Sequence, residues 1–208
     1  IVVVCFMSVS AISAADNNTT DDSVVAVADT SGNFTELANA INGATGTLNL
    51  TKNYTNKDNY SSEGITINNN IIIDGKGHTL DANNIGRIFK ISNGVSVTLK
   101  NIIFTNGKFS GSGNANYGGA IYVDNSELTI NHSSFINNSV MTNGGNSEPN
   151  GGAIYATGAN SNIIVNDSIF TNNIAKTNYN PVSSGGAIYI DDNVKLQVTK
   201  SNFTDNVA

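Results

Sequence analysis

The stretch GGAIYVDNSELTINHSSFINNSV, residues 118–140, returns as GGAIYATGANSNIIVNDSIFTNNIA at 151–175 and as GGAIYIDDNVKLQVTKSNFTDNVA at 185–208. The paired glycines that open each copy, Gly118-Gly119, Gly151-Gly152 and Gly185-Gly186, stand 33 and then 34 residues apart. A fixed period of this size marks an array of stacked units, each unable to bury its apolar face alone. Every copy holds three short strand-like runs: AIY plus one residue, then LTI, IIV or LQV, then a run centred on Phe135, Phe170 or Phe203. Asn138, Asn173 and Asn206 follow those phenylalanines at the third position, and IIFTNG around Phe104 is a partial earlier copy with Gly107 in place of that Asn.

Three short strands per period suit one coil of a parallel β-helix. Coils stack at the ~4.8 Å strand spacing, so equivalent residues lie on top of one another. Stacked charges repel, stacked Asn can hydrogen-bond up the ladder, and stacked Phe or Ile fills an interior. The composition agrees: only 12% of residues are charged, and Asn, Ser and Thr supply the polarity. An antiparallel sandwich or propeller is the rival, disfavoured because a blade needs four strands over ~40–50 residues. Alternation puts Ala and Tyr of GGAIY on one face and Ile on the other; the small Ala beside a corner favours an interior shared by Ile and the Phe column. The Gly pairs serve the corners, through positive φ or close backbone approach. They do not match a phosphate loop, since GxxxxGK[ST] is absent. The FxxN Asn is expected at a turn, its side chain on nearby backbone.

Ahead of the coils the texture differs. Phe34, Leu37, Ala38 and Ile41 fall on one helical face, with Asn33 or Thr35 as N-cap and Gly43 past the end. This predicts a short amphipathic cap helix over 34–42, then a strand at 47–50 and a loop from Tyr54 to Glu63, the whole cap running 32–63. The parallel β-helix then spans 64–208. Residues 16–31 read as a polar linker, and IVVVCFMSVSAISAA, 1–15, as the apolar and cleavage regions of a secretory signal truncated at its front. Cys5, the one cysteine, lies within it after Val4, which does not suit lipid attachment. The chain stops at FTDNVA inside a coil pattern, so we expect it to continue, with membrane or wall attachment beyond.

The 208 residues carry a net charge of −6 and a single arginine, Arg87, which argues against nucleic acid as a partner. Candidate chemistry is sparse. Asp191 and Asp192 are adjacent and point to opposite faces of a strand, whereas glycoside hydrolysis needs two carboxyls across one bond. His78, in GKGH, lies about a hundred residues earlier. Turn residues Asp74, Asp81 and Asp124 are conceivable Ca²⁺ ligands, and His132 has no second imidazole or thiol near it in sequence. No cofactor is expected. Sequons at Asn33, Asn49, Asn53 and Asn59, in the cap, are the better candidates for N-glycosylation.

GGAI paired with FxxN, at Gly118/Phe135, Gly151/Phe170 and Gly185/Phe203, resembles the polymorphic outer-membrane-protein repeat. With Phe34–Ile41, the segment Ile71–Ala82 and an apolar leader, residues 33–208 are similar to adhesin-like surface proteins of methanogenic archaea. The resemblance implies a right-handed parallel β-helix at the cell surface. Taken with the residues, it predicts a secreted, non-enzymatic stalk or binding module. Surface glycans or proteins of host or neighbouring cells would be its partners, met by the segments 106–117, 141–150 and 176–184 with Tyr117 and Tyr179. A polysaccharide lyase or glycoside hydrolase with its active site partly elsewhere, and a structural coat component, are the alternatives.

Overall fold

The computed structural model describes residues 30–111, 115–142, 148–177 and 182–208. The leader, Cys5 and nearly all of the linker fall outside them, as does Tyr179. Within them the chain winds as a parallel β-solenoid behind one short helix. One six-stranded sheet stacks Gly46–Asn49, Ile71–Asp74, Ser96–Lys100, Glu127–Asn131, Asn162–Asn166 and Lys195–Thr199 in chain order. A second six-stranded sheet stacks Tyr54–Thr55, Thr79–Asp81, Ile103–Thr105, Ser134–Ile136, Ile169–Thr171 and Asn202–Thr204, so the stretch expected as a loop from Tyr54 begins with a strand, at two residues too short to show alternation. The GGAIY strands form a third, of five: Ile65–Ile67, Phe89–Ile91, Ile121–Asp124, Ile154–Thr157 and Ile188–Ile190.

The registers explain why the motif repeats. Phe104, Phe135, Phe170 and Phe203 pair in one column, their rings stacked at 4.5, 4.7 and 4.7 Å between centroids. Ile121 and Ile154 are fully buried in one cluster with Phe135, so Ile and Phe share the interior as the pattern suggested. Ala120 and Ala153, expected on the tyrosine face, are buried there too, because the chain is still turning the corner: the N–H groups of Ala120 and Ile121 both donate to the Ala153 carbonyl. Tyr122, Tyr155 and Tyr189 form an outward column in register. The two glycines have separate jobs. Gly118, Gly151 and Gly185 take φ of +64°, +70° and +61°. A Cβ on the second glycine would meet the next coil: at Gly119 it would stand 2.2 Å from the Gly152 carbonyl oxygen.

The FxxN asparagine is not the turn residue. The residue before it is: Asn106, Asn137, Asn172 and Asp205 hold φ between +53° and +57°, the left-handed corner that Asn and Asp tolerate best. Asn138 and Asn173 point inward and are wholly buried. Oδ1 of Asn173 accepts from the Asn138 backbone N–H at 3.1 Å and from its Nδ2 at 3.0 Å. Nδ2 of Asn173 donates to the Phe135 carbonyl at 3.0 Å and to Asn206 Oδ1 at 2.8 Å. A serine ladder does the same at the corner before the Phe strand. The backbone N–H groups of Ser133 and Ser168 donate to Oγ of Ser168 and Ser201 at 3.2 and 3.1 Å. Corner groups that a plain β-ladder leaves unpaired thus find partners one coil away.

The segments between copies, expected as loops, carry strands of their own. Lys108–Gly111, Ser139–Thr142 and Ile174–Thr177 form a three-stranded sheet, and Ala115–Tyr117 pairs with Glu148–Asn150. The strand follows the FxxN corner directly because KFS, SVM and IAK alternate like their predecessors. Phe109, Val140 and Ala175, in register, are buried outside the luminal cluster, as is Tyr155. At the N-terminal end the helix spans Phe34–Gly43. It is capped by Asn33, whose Oδ1 accepts from the Glu36 N–H at 2.8 Å. Its predicted apolar face, Phe34, Leu37, Ala38 and Ile41, is buried and packs on Tyr54–Thr55 and Ile65–Ile67.

Candidate functional site: an aromatic and charged cleft beside the tyrosine column

The outward column of the GGAIY sheet reads Thr66, Lys90, Tyr122, Tyr155, Tyr189 in register. Its aromatic part is continuous: Tyr122 and Tyr189 stack on Tyr155 with centroids 5.6 and 5.5 Å away. Tyr117, from the segment between repeats, lies against the same ring at 4.1 Å. Burial raises the Tyr155 phenol, and its hydrogen bond to Asp191 raises it further, so it stays protonated and donates to Oδ2 of that carboxylate.

Where the column changes from tyrosine to lysine the surface is concave. A cleft of about 210 Å³ is lined by Glu63, Arg87, Lys90, Phe109, Tyr117 and Tyr122. Arg87 forms its floor. Its guanidinium carbon lies 3.9 Å from the centroid of Phe109 and 5.0 Å from that of Tyr122. Gly64, at φ +79°, makes room for it: a Cβ there would stand 2.7 Å from Arg87 Cγ. The side chain is 4% exposed, and Nε has no hydrogen-bond partner. Glu63 is the counter-ion, but its Oε2 stands 3.7 Å from Nη1 and 3.8 Å from Lys90 Nζ, outside hydrogen-bond range. Burial lowers the Arg87 pKa to about 10, against the opposing pull of Glu63, so the group remains cationic at neutral pH.

The other candidates are structural. Asp74 is buried at a corner, where its Oδ1 accepts from the Lys76 N–H at 3.1 Å and Asn101 Nδ2 at 2.9 Å. Its Oδ2 faces Nζ of Lys76 and Lys100 at 2.8 and 3.3 Å. Burial alone would raise this carboxyl; the bonds from Asn101, Lys76 and Lys100 outweigh it and hold it well below the usual range. Two ammonium groups therefore occupy the place a cation would take. Asp81 accepts from the Asn83 N–H at 2.7 Å and Asn106 Nδ2 at 3.0 Å, and Asp124 from Asn125 Nδ2 at 2.8 Å. Among the described residues no group of three or more His, Cys, Asp or Glu is placed to hold a metal. His132 Nε2 lies 3.0 Å from Asp167 on an exposed corner. His78 sits beside Asn53 in the turn just before the strand Thr79–Asp81. Asp191 follows the last strand of the GGAIY sheet, so the two are not brought together. Of the cap sequons, Asn33 is the helix cap and Asn53 accepts from the Thr79 N–H at 3.0 Å, whereas Asn49 and Asn59 are exposed.

Tyr117 was within reach of the sequence reading, and Arg87 stood out as the single arginine. What that reading missed is their meeting point. The signal was there: GRIFKI, 86–91, occupies the place of GGAIYV, 118–123, because Phe89 pairs with Ile121. Arg87 falls where Gly119 falls, and Lys90 where Tyr122 falls. Comparison with known proteins adds nothing to this: no family model, no curated protein and no solved structure matches the chain. The fold and cleft define it as a parallel β-solenoid with a polar, aromatic-walled recess on its flank.

Proposed function

We propose that this chain is a secreted or cell-surface binding module, adhesin-like and non-enzymatic, whose β-solenoid holds the cleft and the neighbouring inter-repeat segments toward carbohydrate. The observation that carries this reading is the Tyr117–Tyr122–Phe109 wall around a guanidinium whose Nε has no hydrogen-bond partner. Aromatic faces accept the C–H faces of a sugar ring, and fixed polar groups select its hydroxyls and substituents. The resemblance of residues 33–208 to adhesin-like surface proteins, and the leader at 1–15, support the location. At about 210 Å³ the recess is below the ~300–1,000 Å³ of drug-sized sites, which suits one sugar residue rather than a long chain segment. The test is a glycan array and a cell-binding assay with the chain and its Tyr117→Ala variant. Binding lost in the variant supports the reading; binding to no glycan, or binding unchanged by the variant, contradicts it.

A further inference from the structure

We infer that the cleft selects acidic sugars, its Arg87 and Lys90 receiving a ring-borne oxyanion, carboxylate or sulfate, while the ring lies against Tyr117 and Tyr122. This rests on the carbohydrate reading above and sharpens it.

Three observations carry it. The first is a buried cation whose N–H groups are not saturated. A guanidinium can be buried when acceptors saturate its N–H groups. Among the described residues Arg87 has no side-chain hydrogen bond, and its Nε is shut off from solvent without a partner. The second is orientation. Phe109 and Tyr122 occupy the guanidinium's surroundings at 3.9 and 5.0 Å from its carbon. Aromatic rings satisfy its charge in part but supply no acceptor for its N–H groups. A carboxylate or a sulfate presents two acceptor oxygens at once to the fork of an arginine. The third is local charge. The chain is acidic overall, at −6, yet this recess sets Arg87 and Lys90 against Glu63 alone. Glu63, half exposed and beyond hydrogen-bond range of both cations, is a counter-ion that a ligand oxyanion can displace.

The luminal polar groups make the contrast. Asn138 and Asn173, equally buried, have their side-chain donors and acceptors paired with neighbouring coils. Arg87 stands apart from that pattern, and it stands in a solvent-connected recess.

Calorimetric titration of the whole chain tests this with four probes: a galacturonate oligomer, a sulfated galactose oligomer, a neutral galactose oligomer and poly-glutamate. We expect one or both acidic sugars to bind at least tenfold tighter than the neutral one, and the stronger of the two identifies the oxyanion. Arg87→Met should remove that preference while the melting temperature stays at or above that of the parent. Arg87→Lys should recover only part of it. Should Arg87→Met fail to fold, Lys90→Met, on a more exposed side chain, must still reduce the preference. Neutral and acidic sugars bound alike would overturn the acidic assignment and leave carbohydrate binding standing. No sugar bound at all would overturn both, and poly-glutamate bound as tightly as the acidic sugars would overturn the sugar assignment.

Discussion

The coils that open at Gly118 and Gly151 and the coil that opens at Gly86 are built on one plan but differ at the second glycine, at the ladder asparagine and at the outward tyrosine, where Lys90 stands. In the first two, a second glycine admits the next coil and an inward Asn closes the corner. In the other, Arg87 stands at the second-glycine place and Gly107 at the Asn place. Gly107 still joins the ladder, donating its N–H to Asn138 Oδ1 at 2.9 Å, but extends it no further. The lumen hardly registers the difference, since Phe89 and Phe104 are as buried as Ile121 and Phe135. The outside changes completely: a tyrosine column gives way to a cationic recess. Where the motif is obeyed, the ladder asparagines Asn138 and Asn173 are hydrogen-bonded from coil to coil. Where it is broken, a buried cation keeps an Nε without a partner and a counter-ion beyond hydrogen-bond range.

That contrast yields a graded set of expectations. The largest effect belongs to the Phe column. Phe135 is fully buried between Phe104 and Phe170, so Phe135→Ala should destabilise by about 4 kcal/mol through lost burial and a cavity. Equilibrium urea denaturation measures it. Next is the ladder: Asn173→Leu removes the acceptor of the Asn138 N–H, one of the two acceptors of its Nδ2 and the donor to the Phe135 carbonyl, at a cost of about 3 kcal/mol.

Asp74 comes third, with Asp74→Asn costing about 1.5 kcal/mol at pH 7. The sign follows from its lowered folded pKa. Stability from Asp74 is fully present above the unfolded value of ~3.9 and is lost as the pH falls toward the folded one. The acid limb of a pH–stability profile should therefore be shallower in the variant than in the parent. The smallest effect is at the corners. Asn137 holds φ +57° and is exposed, so Asn137→Ala should cost about 1 kcal/mol, while Asn137→Gly should be close to neutral. If Asn137→Ala cost more than Asn173→Leu, the division between an outer corner Asn and an inner ladder Asn would be reversed.

The fold was legible because a solenoid writes its geometry into the period. Gly118, Gly151 and Gly185 mark one corner, Phe135, Phe170 and Phe203 one inward column, and the helical spacing of Phe34, Leu37, Ala38 and Ile41 the cap. Less legible was which of two adjacent asparagines turns the corner. Asn137 and Asn138 look alike in sequence, and only the lateral neighbour, Asn173, tells them apart. The strands Lys108–Gly111, Ser139–Thr142 and Ile174–Thr177 escaped for a related reason. Their pairing partners are a whole coil away, and the variable stretches after them read as loops. The cleft was hidden because its residues come from Glu63, Arg87, Lys90, Phe109, Tyr117 and Tyr122, spread over two coils and the turn before them. Periodicity cannot report residues whose significance lies in breaking it.

The central claim is that the ladder serves stability and Arg87 serves binding. Thermal denaturation of Asn173→Leu and Arg87→Met, run side by side with the parent, tests it most directly. The account predicts a clear fall in melting temperature for Asn173→Leu and none, or a rise, for Arg87→Met. A fall for Arg87→Met as large as that for Asn173→Leu would contradict it, because Arg87 would then be one more member of the scaffold.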